Sequence, residues 1–310
     1  MNTISYIEPL ERAFGGMKRR LFRPFDFGKW FTIGFTAWLA MLGKNGGGFN
    51  FRFPSGHHHS HTDGVSQFVL SHLVLVTGVV VFTLFLGILL NWIRARGIFM
   101  FLDNVIHGRA RVEGLWDEFR REGNSLFWWL FAFTWACLFA MLLIIGIGVR
   151  LAWPAFKHHC FDVHAVAAIA VMIPLFVTFA LVTGGVAVLL EDFVVPLMWK
   201  HRLSTNEAWR LLSRITAGRA LNVVIYILLR IVLAVAVGAL VGAFGLFTCC
   251  CGFVLLAVPV VNATLMLPVT VSLRLFALEF LRQFGADADC LVAVPPDLPP
   301  VSIAQSAPPL

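Results

Sequence analysis

Charge is what this sequence has least of. Only 13% of its 310 residues are Asp, Glu, Lys or Arg, about half the share in water-soluble domains. Such a chain cannot cover a soluble surface. Tyrosine is scarce as well, with 2 residues against 30 Phe and 10 Trp. Six cysteines (Cys137, Cys160, Cys249, Cys250, Cys251 and Cys290) lack zinc-type or disulfide-framework spacing and scatter through apolar stretches, where Cys acts as a small hydrophobe. No P-loop, GxSxG elbow or HExxH helix occurs, so no catalytic residue and no cofactor is expected and the enzyme case is poor. Residues 1–29 hold six Lys/Arg, but no apolar h-region leads to a cleavage site, so no cleavable signal peptide is expected.

What the chain does have is hydrophobic length: 59% apolar residues and a mean hydropathy of +0.82. About 20 apolar residues, rising 1.5 Å each, match a hydrocarbon core of about 30 Å. Five stretches meet this: Val65–Ile93, Leu126–Val149, Val163–Leu190, Leu221–Gly242 and Leu246–Leu273. A sixth, Trp30–Gly43, reaches the length only by borrowing its neighbours. The expected fold is therefore all-α, an integral membrane bundle of six transmembrane helices. Residues 1–29 form a cytoplasmic amphipathic segment, 30–285 the membrane domain and 286–310 a disordered Pro-rich cytoplasmic tail.

The net charge of +7 does not indicate nucleic acid, because the basic residues sit in short segments between apolar runs. Nineteen fall in the first tail, segments 94–124 and 191–219, and the last tail, against four in the opposite loops. That asymmetry places both termini in the cytoplasm, with the chain multi-pass in the cell inner membrane. Trp30, Trp92, Trp128, Trp129 and Trp199 stand near the proposed inner interfaces, as aromatic belts do.

The inner connections carry helical periodicity. Ala208, Trp209, Leu212 and Ile215 share a face opposite Glu207, Arg210, Ser213 and Arg214. Leu115, Trp116 and Phe119 repeat the pattern, as do Ile4, Ile7, Leu10, Phe14, Met17 and Leu21. These read as elbow helices lying on the inner membrane surface, each leading into an outward span. The layout suggests a three-fold helix-hairpin repeat: an offset of 93 residues aligns Arg109 with Arg202, Trp116 with Trp209 and Arg121 with Arg214.

The run Glu191-Asp192-Phe193-Val194-Val195-Pro196-Leu197-Met198, then Ala208-Trp209-Arg210, Cys249-Cys250-Cys251-Gly252, Leu267-Pro268 and Leu278–Gly285, resembles a pattern in uncharacterised bacterial multi-pass membrane proteins. These are related to the membrane domain attached to some glycerophosphoryl diester phosphodiesterases. The resemblance implies a six-helix membrane domain with amphipathic elbows and no established activity. The soluble phosphodiesterase barrel is not in this chain.

Two constellations carry chemistry. His57, His58, His59 and His61 lie in the first external loop, and His158, His159 and His164 around the second. Imidazoles near a carboxylate or thiolate suit Zn, Ni or Cu, but HHHxH on a Gly-flanked loop fixes no geometry, and a polar loop explains it as well. Arg230 is sharper. It lies nine residues into the fifth span, where a charge costs at least about 2.5–3.5 kcal/mol and must face protein, water or a partner. Asn222, Tyr226 and Arg230 share one face, and Asp103, Glu191 and Asp192 are the candidate counter-charges. The alternatives are a polar cavity lining, a structural ion pair, or a snorkelling Arg on a span that starts later. Gly238–Gly242 is a small-xxx-small contact that speaks of packing alone.

Two functions remain. The first is a non-catalytic membrane module organising lipid or a protein partner, another membrane protein or a second copy. The second is a transporter or channel for a small solute or metal ion.

Overall fold

The computed structural model describes residues 5–22, 26–42, 73–158, 163–247 and 259–291. Every regular element among them is helical. In chain order these are α1 (Ile7–Phe22), α2 (Phe27–Met41), α3 (Leu73–His107), α4 (Leu115–Glu118), α5 (Arg120–His158) and α6 (Val163–Leu189). A π-turn (Leu190–Val194) leads into α7 (Val195–His201), followed by α8 (Thr205–Ile215), α9 (Ala220–Phe247), α10 (Pro259–Leu265), α11 (Leu267–Arg282) and a 3₁₀ turn at Ala286–Ala288.

Four stretches are long and apolar enough to cross a membrane: Leu73–His107, Arg120–Leu151, Ile169–His201 and Ala220–Phe244. The two other expected spans differ. α2 has 15 residues, about 22 Å, short of a hydrocarbon core. The Leu246–Leu273 stretch is divided: α10 ends at Leu265 and α11 begins at Leu267, with Pro268 in its first turn. Proline there cannot donate into the preceding turn, which favours the break at Met266.

Packing is concentrated at one end. The core gathers Ala95–Ile106 of α3, Phe193–Met198 of the π-turn and α7, Ala208 and Leu212 of α8, Tyr226 of α9, and Leu275–Leu281 of α11. Away from this end the helices turn large apolar side chains outward, among them Val74, Phe82, Leu142, Val182, Leu240 and Phe247. At most 11% of the most apolar stretch of any of the four long helices is buried inside the molecule. In water such surfaces would drive association; in hydrocarbon they cost nothing.

The α3 helix also runs on past Ile93 to His107, so Arg94, Arg96 and Asp103 sit on a buried helix rather than in a loop. The cause is the apolar run Gly97–Leu102 that follows the two arginines. Gly97 sits where α2 crosses: a Cβ there would stand 2.7 Å from Leu39 Cβ and 2.8 Å from the Leu39 backbone carbon.

The amphipathic helices use their apolar faces on protein. α8 starts at Ser204, whose backbone N–H and hydroxyl donate to the Glu207 carboxylate at 2.9 and 2.8 Å, the carboxylate arm of a capping box. These bonds hold the Glu207 carboxyl below its ordinary range. Its Ala208 and Leu212 are buried in the core, Trp209 stacks on Trp129 at 5.8 Å, and Glu207, Arg210, Ser213 and Arg214 face out. In α1 the buried face is Pro9, Ala13, Met17 and Leu21, while Ile7 and Phe14 point outward. The face is rotated from the largest side chains toward the smallest, because Ala13 and Gly16 let α1 approach α11; a Cβ on Gly16 would lie 3.3 Å from Leu275.

α1 runs antiparallel to α11. The Gln283 side chain brackets Ser5, donating to its carbonyl and accepting from its N–H, both at 2.9 Å. Tyr6 stacks on Phe280 and donates to Asn222 at 3.1 Å. Beyond α11, Ala286–Leu291 lies across α7: Lys200 donates to Ala286 O at 2.6 Å and the Cys290 thiol to Pro196 O. Burial pushes that thiol up to about 12. The tail from 292 onward lies outside the described residues.

Gly97→Ala is expected to wedge α2 off α3 and to destabilise the protein by about 1–3 kcal/mol, the usual effect of overpacking. A lowered Tm in detergent, with faster hydrogen exchange over residues 27–41, is the expected result; an unchanged Tm contradicts the close crossing. Glu207 contributes stability that is present at neutral pH and lost as pH falls through its depressed pKa. Glu207→Gln should therefore flatten the acid limb of the Tm–pH profile.

Candidate functional site

The most concentrated polar chemistry inside the fold lies at the π-turn. An α-helix continued through Pro196 would press the proline ring on the carbonyl four residues back, that of Asp192. The chain avoids this by widening one turn: Val195 N–H donates to Leu190 O, five residues back. In the same wide register the Glu191 carbonyl would look to residue 196, which has no N–H to give. Arg274 of α11 donates its Nη1–H to that carbonyl instead. The bulge also turns Glu191 and Asp192 in succession toward α3, α9 and α11.

Asp192 is buried, at 2% exposure. Its Oδ2 accepts from Tyr226 OH at 2.9 Å and from Arg230 Nε at 3.0 Å, and its Oδ1 stands 3.6 Å from Arg274 Nη1. Beside it Glu191 accepts from Arg94 Nη2 at 3.0 Å. These contacts link Arg94, Glu191, Asp192, Arg230 and Arg274 into one cluster, a belt of charge across α3, the π-turn, α9 and α11. Tyr226, with no exposed surface, is packed by the rings of Phe193, Phe276 and Phe280 at centroid distances of 4.7, 5.5 and 4.6 Å. A tyrosine enclosed by three aromatic rings needs a partner for its hydroxyl, and Asp192 supplies it.

Two of the sequence-derived residues go elsewhere. Asp103 does not meet Arg230. It accepts from Arg109 Nη2 at 3.0 Å and Trp199 Nε1 at 3.3 Å, with His107 at 3.1 Å. Asn222 accepts from Tyr6, two helical turns from Arg230. Of the candidate metal ligands, His57, His58, His59, His61 and His159 lie outside the described residues. His158 and His164 belong to α5 and α6, with side chains that are likewise outside the description. Among the described residues no group of three or more His, Cys, Asp or Glu is placed to hold a metal ion.

Sequence reasoning missed Arg94 and Arg274, counted as ordinary loop and tail charges. The signal was available: Arg94 precedes a further apolar run, Arg274 sits between Leu273 and Leu275, and Pro196 follows the acidic pair in an otherwise unbroken helix. A second basic residue is enclosed nearby. Arg96 lies between the rings of Trp92 and Trp116, at 4.2 and 5.0 Å, and donates to Asn124 at 3.2 Å. At the α1 end, burial lowers the Arg20 guanidinium from its ordinary range, Arg19 adds to this, and the Glu279 carboxylate opposes it.

The acids of the belt are tied to arginines, and what it offers is a fixed array of guanidinium groups in a water-poor setting.

An all-helical chain with four helices fit to cross a bilayer, closed at one end over buried ion pairs, has the architecture of a helical membrane protein. The chain belongs to the Family of unknown function (DUF7544), which matches residues 4–288. The match supports an uncharacterised family; it carries no link to glycerophosphoryl diester phosphodiesterases. No curated protein and no solved structure matches the chain.

Asp192→Ala leaves two arginines facing an empty site and should cost about 3–5 kcal/mol, the usual penalty for breaking a buried pair from one side. Asp192→Ala combined with Arg230→Met should recover part of that loss. Thermal unfolding followed by size-exclusion chromatography in detergent measures both, and equal loss in the single and double variants would disprove the coupling.

Proposed function

We propose that this protein is a non-catalytic, six-span membrane module that organises lipid around a charged inner belt. Both termini face the cytoplasm, and the α2 region and the α10–α11 region complete the outward–inward pairs. The observation that carries the lipid role is the contrast between the two ends of the bundle. The inner end is closed by aromatic packing and ion pairs, and the long helices above it turn Val, Leu, Ile and Phe outward. An array of this kind presents apolar flanks to acyl chains and a fixed charge pattern where they end.

Charge asymmetry supports the orientation: nineteen of 24 basic residues fall in the segments assigned to the inner side. The three-part layout is supported by α4 and α8, each preceding a much longer helix, and by α1, which precedes the 15-residue α2. A protein partner, either another membrane protein or a second copy, is the variant of the same role in which the apolar flanks meet protein.

Transport of a small solute or metal ion is the second reading, and Arg230 is its support, since its side chain retains 20% exposure. A continuous polar path would have to lead away from it. The residues beyond it on α9, Ile231 to Phe247, include no charged or strongly polar side chain.

Reconstitution separates the two. Spin-labelled phospholipid in proteoliposomes should show a motionally restricted population that scales with protein, while Zn²⁺, Ni²⁺ and phosphate flux stay at the level of empty vesicles. Saturable flux abolished by Arg230→Leu would establish the transporter and remove the module. Reporters fused at either end should both be cytoplasmic; an external one overturns the six-span topology.

A further inference from the structure

The belt is not electrically balanced. Arg94, Arg230 and Arg274 face Glu191 and Asp192, three guanidinium groups against two carboxylates. Asp192 is engaged on both oxygens, by Tyr226 and Arg230 on one and by Arg274 on the other. Arg94 pairs with Glu191 and not with Asp192. Arg94 reaches Glu191 through Nη2, and its Nε is buried without a hydrogen-bond partner among the described residues. An unpaired N–H of a charged group at low dielectric costs more than a neutral one, and a surplus buried cation calls for an anion.

The belt is also reachable. The side chains of Arg94, Glu191 and Arg230 keep 13, 14 and 20% exposure, while Asp192 keeps 3%. The open edge of the site thus carries Arg94 and Arg230 with Glu191 beside them, and Asp192 forms its floor. Planar guanidinium forks match the oxygen geometry of phosphate, which is why Arg recurs at phosphate sites. Above the belt α3 runs uncharged from Leu73 to Ile93 and α9 from Ile231 to Phe247, with Ile88, Leu89, Ile231, Val232 and Val235 outward.

We propose that the edge of the belt formed by Arg94 and Arg230 binds a net-negative phosphate group. Its source is either an anionic phospholipid headgroup, with acyl chains along α3 and α9, or free inorganic phosphate. This rests on the lipid-organising reading for the first source alone.

The test uses the full-length protein in nanodiscs of phosphatidylcholine alone or with phosphatidylglycerol, and inorganic phosphate added to the first kind. Native mass spectrometry of wild type should show phosphatidylglycerol retained over phosphatidylcholine by about fivefold or more, with a raised Tm. Arg94→Gln should abolish the preference. Glu191→Gln, which enlarges the surplus charge, should strengthen it, a gain that misfolding cannot mimic. Arg12→Gln, at an exposed pair with Glu8, should leave it unchanged. If inorganic phosphate alone reproduces the Tm rise and Arg94→Gln removes it, the ligand is free phosphate. Equal retention in wild type and Arg94→Gln, or a weakened preference in Glu191→Gln, overturns the site while leaving the module standing. A wild type that prefers neither phosphate source overturns the site as well; the spin-label experiment then decides the module separately.

Discussion

The fold depends on Asp192. One carboxylate, buried to 2% exposure, joins α9 through Tyr226 and Arg230 and α11 through Arg274, from a turn that itself ends α6. Few other contacts in the description bind so many elements at once. Its position follows from a proline that cannot sit in an α-helical turn, a carbonyl that consequently lacks its N–H, and an arginine that replaces it. The chain of causes starts with a backbone defect and finishes with a charge array. Bulges of this kind persist where the surroundings over-determine them, as they do here.

Around that contact the molecule divides into two regimes. At the packed end the molecule resembles a soluble core: Phe193, Phe276 and Phe280 enclose Tyr226, and α8 and α1 cover the flanks with their buried faces. Beyond it, the helices rely on the surrounding medium. Gly238 and Gly242 on α9, the small-xxx-small pair, have no atom within 4 Å of where a Cβ would stand. The close contact such spacing permits is not made among the described residues.

How much of this was legible in the sequence depends on what each signal measures. Hydrophobic length located α3, α5, α6 and α9, because a span needs a run of apolar residues whatever its neighbours do. Periodicity located α8 with its faces, because Ala208 and Leu212 sit a turn apart beneath Trp209. On α1 it found the helix and put Met17 and Leu21 on the packed face, but grouped Ile7 and Phe14 with them, whereas close helix approach selects Ala13 and Gly16. The helix that holds Arg94 runs further than the apolar stretch for a related reason. Arg94 and Arg96 look like the end of a span when charges are counted, yet the apolar residues after them carry the helix on to His107. Arg230 was found as an oddity and Asp192 as one of three partners. Its choice over Asp103 follows from Pro196, whose effect on helical register no charge count contains.

The bracket between Gln283 and Ser5 fixes an order of events. The face of α1 that holds Ala13 and Met17 has its complement in α11, which leaves the ribosome more than 250 residues later. At about 5–20 residues per second α1 waits for tens of seconds before its docking site exists. A helix made so long before its partner settles only when that partner arrives, so the packing of α1 is a late event whatever its own propensity to form.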